Sequence, residues 1–572
     1  MDKDQVVAVL EEMAVILELK GENPFKVRAY ANAARNLAAT AEPVEDLVAS
    51  GRLGELKGFG EAITEKVTAL VATGRLDAYE ELRASLPEGL FDLLKIPHLG
   101  PRKVRAIYDE LGVTSLRELE YACHENRLVS LPGFGLKSQE KVLKGISDLK
   151  RYATHFLYAE AARAAETVLQ ALGAQAAVVA CEVAGSIRRR REIVKDIDIV
   201  AASEKPDDVA AAFSALPQVV EVTLSGPTKT SVRLAGGIAC DLRVVAPKAW
   251  PAALQHFTGS KEHNTELRGL AKRRGLTLNE YGLFKGKRPR SIKSEEDLYA
   301  ALGLELIPPE LREGWGEVEA AGRGELPALV EEGDLVGLLH AHTTWSDGMA
   351  TLEEMAEAAR RAGWRYLGIS DHSQSAGYAG GLSPERVGEQ QREIDALNER
   401  FADFRLFKGI EVDIMADGSL DYDDGLLATF DFVIASIHSN FGFSKEAQTE
   451  RLIRAAAHPA VTILGHPTGR LLLAREGYAL DMEAVLEGAA ANGVAVELNS
   501  HPQRLDLDWR LCRRAKELGV AVAINPDAHR IEGLDDVAYG VGIARKGWLT
   551  AADVLNTKDA EALSAFFASR KA

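Results

Sequence analysis

The chain has 572 residues, 46% of them hydrophobic, which is enough for several domains with separate cores and argues against disorder. Its four cysteines, Cys123, Cys181, Cys240 and Cys512, show no paired spacing, which excludes a disulfide scaffold and indicates buried thiols in a reducing compartment. Because the sequence contains no apolar run of about 18 residues, we expect a cytoplasmic protein without a membrane span.

The net charge of −17 is distributed unevenly along the chain. Residues 1–317 contain 43 Lys and Arg against 45 Asp and Glu, whereas residues 318–572 contain 25 against 40. Within the first part, segment 268–293 carries nine basic residues and a single acidic one, Glu280. A basic segment by itself is more often ordinary solvated surface. A position beside candidate catalytic aspartates would instead favour a nucleic-acid partner.

Residues 1–150 have apolar positions at helical spacing and are predicted to form two helical parts, 1–84 and 85–150. Three turns in this region follow one pattern, and each precedes a predicted helix that contains Lys or Arg. Their glycines are Gly58, Gly60, Gly100, Gly133 and Gly135. Such a turn exposes backbone N–H groups at a helix N-terminus, where a phosphate can dock without sequence readout. One turn could be an ordinary helix connection, but three indicate helix-hairpin-helix elements, although His98 replaces the first glycine of the second copy.

From residue 151 the pattern changes to mixed strands and helices, and two predicted strands carry acidic residues. Asp196 and Asp198 are two residues apart on one strand, so both carboxylates leave the same face, and Asp241 opens another strand segment. Three carboxylates without imidazole leave coordination positions for water and phosphates, as Mg²⁺ prefers. The motif Asp-x-Asp alone is common on protein surfaces.

The residues that precede the aspartates strengthen this interpretation. Gly185 and Ser186 form a turn that can offer N–H and hydroxyl donors to a triphosphate, and Arg189 can bind phosphate oxygens in a bidentate manner. The aspartates therefore lie next to a candidate triphosphate site.

The order Gly-Ser-x-Arg-Arg, Asp-x-Asp, Asp241 and Phe-Thr-Gly-Ser (257–260) resembles the family X DNA polymerases, to which DNA polymerase beta belongs. The resemblance covers residues 1 to about 317 and implies an α/β nucleotidyltransferase palm over 151–255 and a thumb-like nucleotide- and template-binding subdomain over 256–317. It implies that the three aspartates are catalytic and hold two Mg²⁺ or Mn²⁺ ions, with Asp241 helping to deprotonate the primer 3'-hydroxyl. The residues it assigns to nucleotide binding are Gly185, Ser186, Arg189, His256, Phe257, Gly259, Ser260, Asn264 and Arg268.

Two residues depart from the family pattern. Lys195 stands directly before the first aspartate, where glycine is common, and His256 replaces the tyrosine of the beta enzyme, which leaves sugar discrimination open. Lys66 aligns with the lysine that forms a Schiff base in members with deoxyribose-phosphate lyase activity. An exposed lysine on a DNA-binding helix also needs no catalytic role, so both interpretations of Lys66 stay open.

Residues 318–333, rich in Gly, Glu and Ala, are predicted to be a linker. Seven apolar, strand-like runs follow within 334–572, separated mostly by helix-like stretches. They lie at about 335–339, 366–370, 406–410, 431–437, 461–465, 494–498 and 520–524. This alternation is typical of a parallel β/α barrel or an open α/β sheet.

Nearly all of nine candidate metal-ligand residues fall at or just beyond the C-terminal ends of these runs. They are His340, His342, Asp347, His372, Glu411, His438, His466, Asp527 and His529. A lone histidine at a strand end is more often structural than a ligand. However, the C-terminal rim is where β/α barrels build their sites, and independent structural histidines would not be expected to collect there.

The motifs around these residues resemble the PHP (polymerase and histidinol phosphatase) domain. The matching segments are 340–343, 346–348, 370–372, 409–411, 436–438, 465–467 and 526–529. The resemblance covers about residues 334–572 and implies a distorted (β/α)7 barrel with up to three Mn²⁺ or Zn²⁺ ions, Glu411 as a bridging ligand, and hydrolysis of phosphate esters. Arg470 and Arg504 are near the ligand-bearing ends and either bind phosphate or are solvated arginines.

Together the two resemblances imply a multidomain, monomeric family X DNA polymerase that fills gaps in DNA repair. Its partners would be gapped or primer-template DNA and deoxynucleoside triphosphates. Its PHP domain would supply 3'-5' exonuclease and further abasic-site endonuclease or 3'-phosphatase activity. Two alternatives remain open: a PHP phosphoesterase of small molecules with a degenerate polymerase core, and a non-enzymatic DNA-end-binding module based on the three hairpins.

Overall fold

A computed structural model describes residues 1, 3–40, 42–97, 99–150, 154–226 and 228–571 of the protein. The chain divides into two compact units, Met1–Leu149 and Lys150–Ala572. His98, the irregular position of the second predicted hairpin, lies outside the described residues.

The first unit is helical, as predicted. Its helices are α1 (Lys3–Leu19), α2 (Pro24–Ala39), α3 (Val44–Ala49), α4 (Glu61–Thr73), α5 (Asp77–Ala84), α6 (Gly89–Leu93), α7 (Pro101–Leu111), α8 (Leu116–His124) and α9 (Leu136–Lys150). One core contains Leu37 and Val67, and a second contains Leu93 and Ile146. The amphipathic spacing that predicted the helices therefore buries two separate apolar clusters.

The glycine turns of this unit have distinctive backbone geometry. Gly58 and Gly133 have φ values of +92° and +84°, a left-handed conformation that favours glycine. Gly60 and Gly100 directly precede α4 and α7 and give these helices no side-chain cap. A Cβ atom at Gly60, Gly100 or Gly135 would meet no described atom within 4 Å, so packing inside the described protein does not explain these three glycines.

The second unit begins with a mixed sheet and the helices around it. The elements are β1 (Phe156–Leu157), α10 (Tyr158–Gly173), β2 (Ala180–Val183), α11 (Gly185–Arg188), β3 (Ile193–Val194), β4 (Asp196–Ala202), α12 (Pro206–Ser214), β5 (Val219–Ser225), β6 (Lys229–Leu234) and β7 (Ala239–Val245). The sheet order is β2-β4-β7-β6-β5, and β4 and β7 are its parallel pair. This pairing brings together the two predicted aspartate-bearing strands.

A smaller subdomain follows the sheet. It contains α13 (Trp250–Thr258), α14 (Lys261–Arg273), β8 (Thr277–Asn279), β9 (Gly282–Lys285), β10 (Arg288–Pro289), α15 (Glu295–Ala301) and α16 (Glu317–Arg323). Helix α16 occupies the start of the segment that the sequence assigned to a linker, and Val318 and Ala321 are buried in the same core as Leu267 and Tyr299. The Ala- and Glu-rich composition suits a helix as well as a linker, and burial of these apolar residues decides between them.

The rest of the chain forms seven parallel strands with intervening helices, as predicted. They are β11 (Gly337–Leu338), α17 (Leu352–Arg361), β12 (Tyr366–Ile369), α18 (Pro384–Arg400), β13 (Arg405–Asp413), α19 (Asp424–Leu427), β14 (Phe432–Ser436), α20 (Lys445–Ala456), β15 (Ile463–Leu464), α21 (Met482–Asn492), β16 (Ala495–Asn499), α22 (Trp509–Glu517), β17 (Val522–Asn525), α23 (Val537–Lys546) and α24 (Ala560–Lys571). Each strand pairs with the next in chain order.

The first and last strands of this sheet approach each other at their C-terminal ends. Ala341 and Ala528 form a parallel bridge, in which the His342 N–H donates to the Ala528 carbonyl at 2.9 Å and the Ala528 N–H donates to the His340 carbonyl at 3.2 Å. The sheet is thus a nearly closed barrel, and the bridge lies at the rim that carries the predicted metal ligands.

Two further expectations concern the whole chain. The four cysteines are unpaired, in agreement with the absence of paired spacing. Among the described residues, we find no helix with the length and apolar character needed to cross a bilayer.

Candidate functional site

The first candidate site lies on the mixed sheet, which we call the palm. Asp196 and Asp198 both belong to β4, and Asp198 lies directly opposite Asp241 in the parallel pairing of β4 with β7. Strand register therefore brings the carboxylates of Asp198 and Asp241 side by side, with Asp196 two residues away on the same face.

These carboxylates repel one another. Burial, followed by the charges of Asp196 and Asp241, raises the pKa of Asp198 to about 6. Burial and Asp241 also raise the pKa of Asp196, against the opposing effects of Lys229 and Lys195. The Lys229 ammonium lies 2.5 Å from Asp241 Oδ2. A partly buried group of negative charges fits divalent cations, which would neutralise it.

The carboxylate oxygens of the three aspartates are less closely grouped than the ligand atoms at the barrel rim. In the described part of the chain, they do not form a group whose ligand atoms all lie within 4.8 Å of one another. The palm supplies carboxylates of the type that holds divalent cations, in a looser arrangement than the groups at the barrel rim.

The predicted Gly185–Ser186 turn lies directly against these aspartates. Gly185 has φ +58°, and a Cβ atom there would lie 2.1 Å from Asp198 Oδ2, so only glycine fits. The Ala184 N–H donates to the Asp198 carbonyl at 2.7 Å, which fixes the turn to β4. Ser186 follows at the start of the short helix α11.

Arg189 connects this turn with the subdomain that follows the palm. Its Nε donates to Glu313 Oε1 at 3.1 Å, and its Nη1 donates to the Thr258 carbonyl. A Cβ atom at Gly259 would lie 3.1 Å from Arg189 Nη1, which explains why a glycine occupies that position. The neighbouring Arg188 has a separate structural role, since it pairs with Glu295 at 2.6 Å.

The remaining predicted nucleotide contacts lie at the junction of α13 and α14. Ser260 caps α14 by accepting from the His263 N–H. The Asn264 side chain is 7% exposed, accepts from Gln255 Nε2 at 2.7 Å and donates to the His256 carbonyl at 2.8 Å.

Aromatic and basic side chains border the same junction. The guanidinium of Arg243 lies 4.4 Å from the Phe257 ring centroid, and the His256 and Phe257 rings meet edge to face. Burial lowers the pKa of His256. Arg268 Nε donates to the Asn264 carbonyl at 3.1 Å, and Lys195 is exposed beside the aspartates.

Lys66, the predicted lyase residue, belongs to the other unit. It lies on α4, half-buried, and its ammonium donates to the Ala62 carbonyl at 3.3 Å. This contact is one that any helical lysine can make, so the local geometry favours neither interpretation of Lys66.

The second candidate site lies at the barrel rim, where the structure gathers eight of the nine predicted ligands into three groups of neighbouring atoms. The groups are His342, Asp347, His372 and His529; His340, His342 and Asp527; and His372, Glu411 and His438. In each group, the ligand atoms lie within 4.8 Å of one another. The ninth ligand, His466, reaches Glu411 Oε1 with Nε2 at 2.9 Å.

The donor atoms at this rim fit metal ions. Among the described residues, Nε2 of His340 and both ring nitrogens of His342 are buried and make no hydrogen bond, which is costly unless a ligand such as a metal is bound. Imidazole and carboxylate donors together suit Mn²⁺, Zn²⁺ or Fe²⁺. His342 and His372 each belong to two groups, so neighbouring ions would share ligands.

Charge compensation distinguishes this site from the palm. Although burial raises the pKa of Glu411, the imidazoles of His438, His372 and His340 hold it well below the usual range. Asp347 and Asp527 have lowered pKa values for the same reason, since histidines outweigh burial. The rim carboxylates are therefore ionised and already paired with imidazoles.

The sequence did not identify three carboxylates behind the ligands. Glu497 and Asp413 contact ligand residues directly, and Asp371 contacts the segment between His342 and Asp347. Glu497 Oε1 accepts from His340 Nδ1 at 2.6 Å, and Glu497 Oε2 accepts from the His466 N–H at 2.8 Å. Asp413 lies 2.6 Å from His438 Nδ1. Asp371 accepts from the Thr343 N–H and hydroxyl at 2.8 Å each. Carboxylates that contact a histidine ring, as Glu497 and Asp413 do, fix the ring orientation and basicity of metal-binding histidines.

The two arginines near the rim are engaged with the protein. Arg470 donates to Asp508 at 2.9 Å and to the carbonyls of Arg504 and Leu505. Arg504 is 4% exposed, and its Nε lies 3.8 Å from Asp527 Oδ2. Arg470 thus stabilises the loop that carries Arg504 rather than facing solvent.

Family models match four parts of the chain. They describe a helix-hairpin-helix domain at residues 1–76, a SAM-like helix-hairpin-helix tandem at 90–148, the DNA polymerase beta thumb at 253–313 and a PHP domain at 339–501. These matches follow the helical unit, the subdomain after the palm, and the barrel.

A curated relative matches the whole chain, and others match about a third of it. The DNA polymerase/3'-5' exonuclease PolX of Bacillus subtilis (strain 168) is 41% identical over 570 residues, covering 99% of both chains. A probable phosphatase of Thermoanaerobacter sp. (strain X514) is 28% identical over 38% of this chain and 89% of its own. A probable phosphatase of Caldanaerobacter subterraneus subsp. tengcongensis is 32% identical over 33% of this chain and 74% of its own.

The match to PolX covers the whole chain, the thumb model covers the subdomain after the palm, and the PHP model covers most of the barrel. Both resemblances found in the sequence are therefore confirmed. The chain belongs to the family X DNA polymerases that carry a C-terminal PHP domain.

Proposed function

We propose that this protein fills short gaps in DNA during repair, adding nucleotides at the palm and removing them from 3' ends at the barrel rim. The observation that carries this proposal is that one chain retains both sets of ligands on separate scaffolds, three aspartates on adjacent strands and nine rim residues in a barrel. Neither scaffold has lost the side chains that its chemistry requires.

At the palm, Asp196, Asp198 and Asp241 would hold two Mg²⁺ or Mn²⁺ ions. When bound, such ions activate an attacking oxygen and neutralise a leaving pyrophosphate. Asp241 would accept the proton of the primer 3'-hydroxyl, while Lys229, 2.5 Å from its carboxylate, limits the charge there. The glycine turn brings its backbone N–H groups and Ser186 close to these aspartates, where a triphosphate would lie.

The subdomain after the palm would bind the rest of the nucleotide. Arg189 would contact the triphosphate, with Gly259 leaving room for its guanidinium. Asn264 and Arg268 would face the base and the template, which requires the Asn264 amide to exchange its contacts with Gln255 and His256 for contacts with the base.

At the barrel, the rim residues would hold up to three Mn²⁺ or Zn²⁺ ions, with Glu411 between them. Ions in such a site activate water and neutralise a phosphoester under attack. Glu497 and Asp413 would keep His340 and His438 oriented for this task. The proposed substrate is the 3' end of a DNA strand, with abasic-site cleavage and 3'-phosphate removal as further reactions.

The glycine turns of the helical unit would bind the DNA backbone. Gly60, Gly100 and Gly135 have space beside them that a Cβ atom would fill, and Gly60 and Gly100 precede helix N-termini with no side-chain cap. A phosphate can approach such N–H groups closely and without reading bases. Basic side chains along α7 and α9 would add salt-dependent attraction.

Lyase activity at Lys66 remains a separate prediction. It would require a Schiff base between Lys66 and the sugar of a 5'-deoxyribose phosphate. Borohydride trapping on such DNA tests it directly: trapping that persists after Lys66→Ala would dispose of the assignment, and Lys57→Ala on the adjacent turn serves as a matched lysine control.

A small-molecule phosphoesterase is the second candidate, favoured by the two probable phosphatases that are similar to 38% and 33% of this chain. The third candidate is a non-enzymatic DNA-end-binding module, which would not explain why the chain carries both sets of candidate metal ligands. The monomeric state and the cytoplasmic location remain predictions.

One experiment separates the three candidates. Purified protein is incubated with three substrates, each in the presence of Mg²⁺ or Mn²⁺. The substrates are gapped DNA with deoxynucleoside triphosphates, a DNA duplex that cannot be extended, and phosphate monoesters. We expect nucleotide addition on the gap and 3'-5' degradation without triphosphates. Turnover of monoesters alone would favour the phosphoesterase, and DNA binding without any turnover would favour the binding module.

A further inference from the structure

A lysine of the barrel reaches the palm. Lys546 ends α23 and is 1% exposed. Its ammonium donates to Glu313 Oε1 at 2.5 Å, to the Arg189 carbonyl at 3.0 Å and to the Glu310 carbonyl at 3.3 Å. None of these three acceptors belongs to the barrel, and together they satisfy the three donors of the ammonium.

Two of the acceptors control Arg189, the proposed triphosphate ligand. Lys546 fixes the Arg189 main chain through its carbonyl. It also fixes the Arg189 side chain, because Glu313 Oε1 accepts from both Lys546 and Arg189 Nε. Arg191 lies 3.6 Å from the other oxygen, Glu313 Oε2. Lys546, Arg189 and Arg191 thus share one carboxylate, which holds them together.

The charges of this cluster are maintained at neutral pH. Burial lowers the pKa of Lys546 to about 8, against the raising effect of Glu313. Although burial raises the pKa of Glu313, Lys546 and Arg189 hold it below the usual range. A buried ammonium that remains charged is costly unless it has ionic and hydrogen-bonding partners, and Lys546 has both.

The surrounding contacts keep this cluster in position. Arg545 pairs with Glu310 at 2.8 Å, and the rings of Trp315 and Trp509 are 4.6 Å apart. On the opposite side of the same segment, the Ser260 N–H donates to the Arg312 carbonyl at 2.9 Å. Segment 310–317 therefore joins the proposed nucleotide site to the barrel.

We propose that Lys546 is a positioning residue for nucleotide addition: the barrel, through Lys546 and Glu313, holds Arg189 in the orientation that binds the triphosphate. This inference rests on the proposed function of Arg189. Packing of the two domains alone would not need a lysine here, since an apolar side chain of similar length fills buried space at lower desolvation cost.

The test compares Lys546→Met, which keeps length but cannot donate, with Lys516→Met as a matched control. Lys516 contacts Asp553 and the Trp548 carbonyl, both within the C-terminal part of the chain. We expect Lys546→Met to raise the KM for the incoming nucleotide about tenfold, the factor for one lost charge-assisted hydrogen bond, with kcat within about threefold. Its 3'-5' exonuclease rate should stay within about twofold of wild type, the change expected when a substitution leaves the barrel rim intact.

Glu313→Gln provides a second test that does not depend on the folding of Lys546→Met. It should raise KM in the same way, and the double variant should raise it by less than the product of the two single effects, because both act on Arg189. An unchanged KM in Glu313→Gln, or a KM in Lys546→Met no higher than in the control, would overturn the proposal. Parallel loss of addition and exonuclease in Lys546→Met would also overturn it, as a purely structural role.

Arg189→Ala distinguishes failure of this inference from failure of the proposed nucleotide site. A raised KM in Arg189→Ala with an unchanged KM in Lys546→Met rejects the role of Lys546 alone. An unchanged KM in Arg189→Ala rejects the assignment of the triphosphate to Arg189, and the role of Lys546 with it.

Discussion

The palm and the barrel rim differ in how far the protein alone assembles each site. At the rim, ligand atoms already lie within 4.8 Å of one another in each of three groups, imidazoles neutralise the carboxylates, and Glu497 and Asp413 orient the rings. At the palm, the aspartates repel one another, and Lys229 occupies one side of Asp241. We therefore expect the rim to bind metals as part of the folded protein, and the palm to close around ions that arrive with the nucleotide.

Removal of the palm ligands tests most strongly whether the two activities belong to separate sites. In Asp196→Asn/Asp198→Asn, nucleotide addition on gapped DNA should fall by on the order of 10³ or more, because the amides no longer hold the ions. Exonuclease activity should persist. The control is Asp207→Asn/Asp208→Asn, which alters two exposed aspartates of α12. Loss of both activities in the first variant alone, with folding intact, would reject separate sites.

Removing rim ligands should have the reverse effect. His340→Ala/His342→Ala should reduce exonuclease activity by on the order of 10³, since both residues belong to the metal groups, and should spare nucleotide addition. His458→Ala, which changes a histidine that precedes β15 at the opposite end of the barrel, is the control. Exonuclease activity that survives the double substitution would move the nuclease site away from the rim.

A smaller effect tests whether the carboxylates behind the ligands preassemble the rim. In Glu497→Gln, affinity for Mn²⁺ should fall about 10- to 100-fold, because His340 loses its ionic partner. Chelator competition measures this change, and Glu487→Gln on the exposed face of α21 is the control. Equal affinities in the two variants would mean that the rim does not depend on Glu497.

The smallest expected effect concerns stability. Burial raises the pKa of Asp198 to about 6 in the folded palm, so its ionised form costs stability at pH 7 when metals are absent. Asp198→Asn should therefore stabilise the EDTA-treated protein by about 1–3 kcal/mol at pH 7. The gain should grow as pH rises from about 4 to about 6 and vanish below about 4, where the carboxyl is protonated in both states. Thermal unfolding across pH measures it; a gain that persists at low pH would contradict the cause.

The spacing of apolar residues along the sequence predicted most of the strands and helices that carry the two candidate sites. The seven barrel strands were found because each is a short buried apolar run, and six of the seven runs directly precede a predicted ligand. The first part of the predicted linker, by contrast, is helical. Its Ala and Glu content suits either state, and burial of Val318 decides the outcome.

The residues that sequence did not identify act over long separations in the chain. Glu497 lies within an apolar strand, and nothing near it in sequence indicates that it meets His340. Lys546 looks like an ordinary basic residue at a helix C-terminus, yet it is buried against Arg189. The register that sets Asp198 opposite Asp241 likewise depends on how the whole sheet is paired. Such partners are determined by tertiary packing rather than by local spacing.

The central claim, a preassembled rim and an open palm, is tested most directly by metal content after gel filtration without DNA or nucleotide. We predict that wild type and Asp196→Asn/Asp198→Asn retain the same amount of Mn²⁺ or Zn²⁺, and that His340→Ala/His342→Ala loses it. Loss of metal in the palm variant, or full retention in the rim variant, would contradict the account.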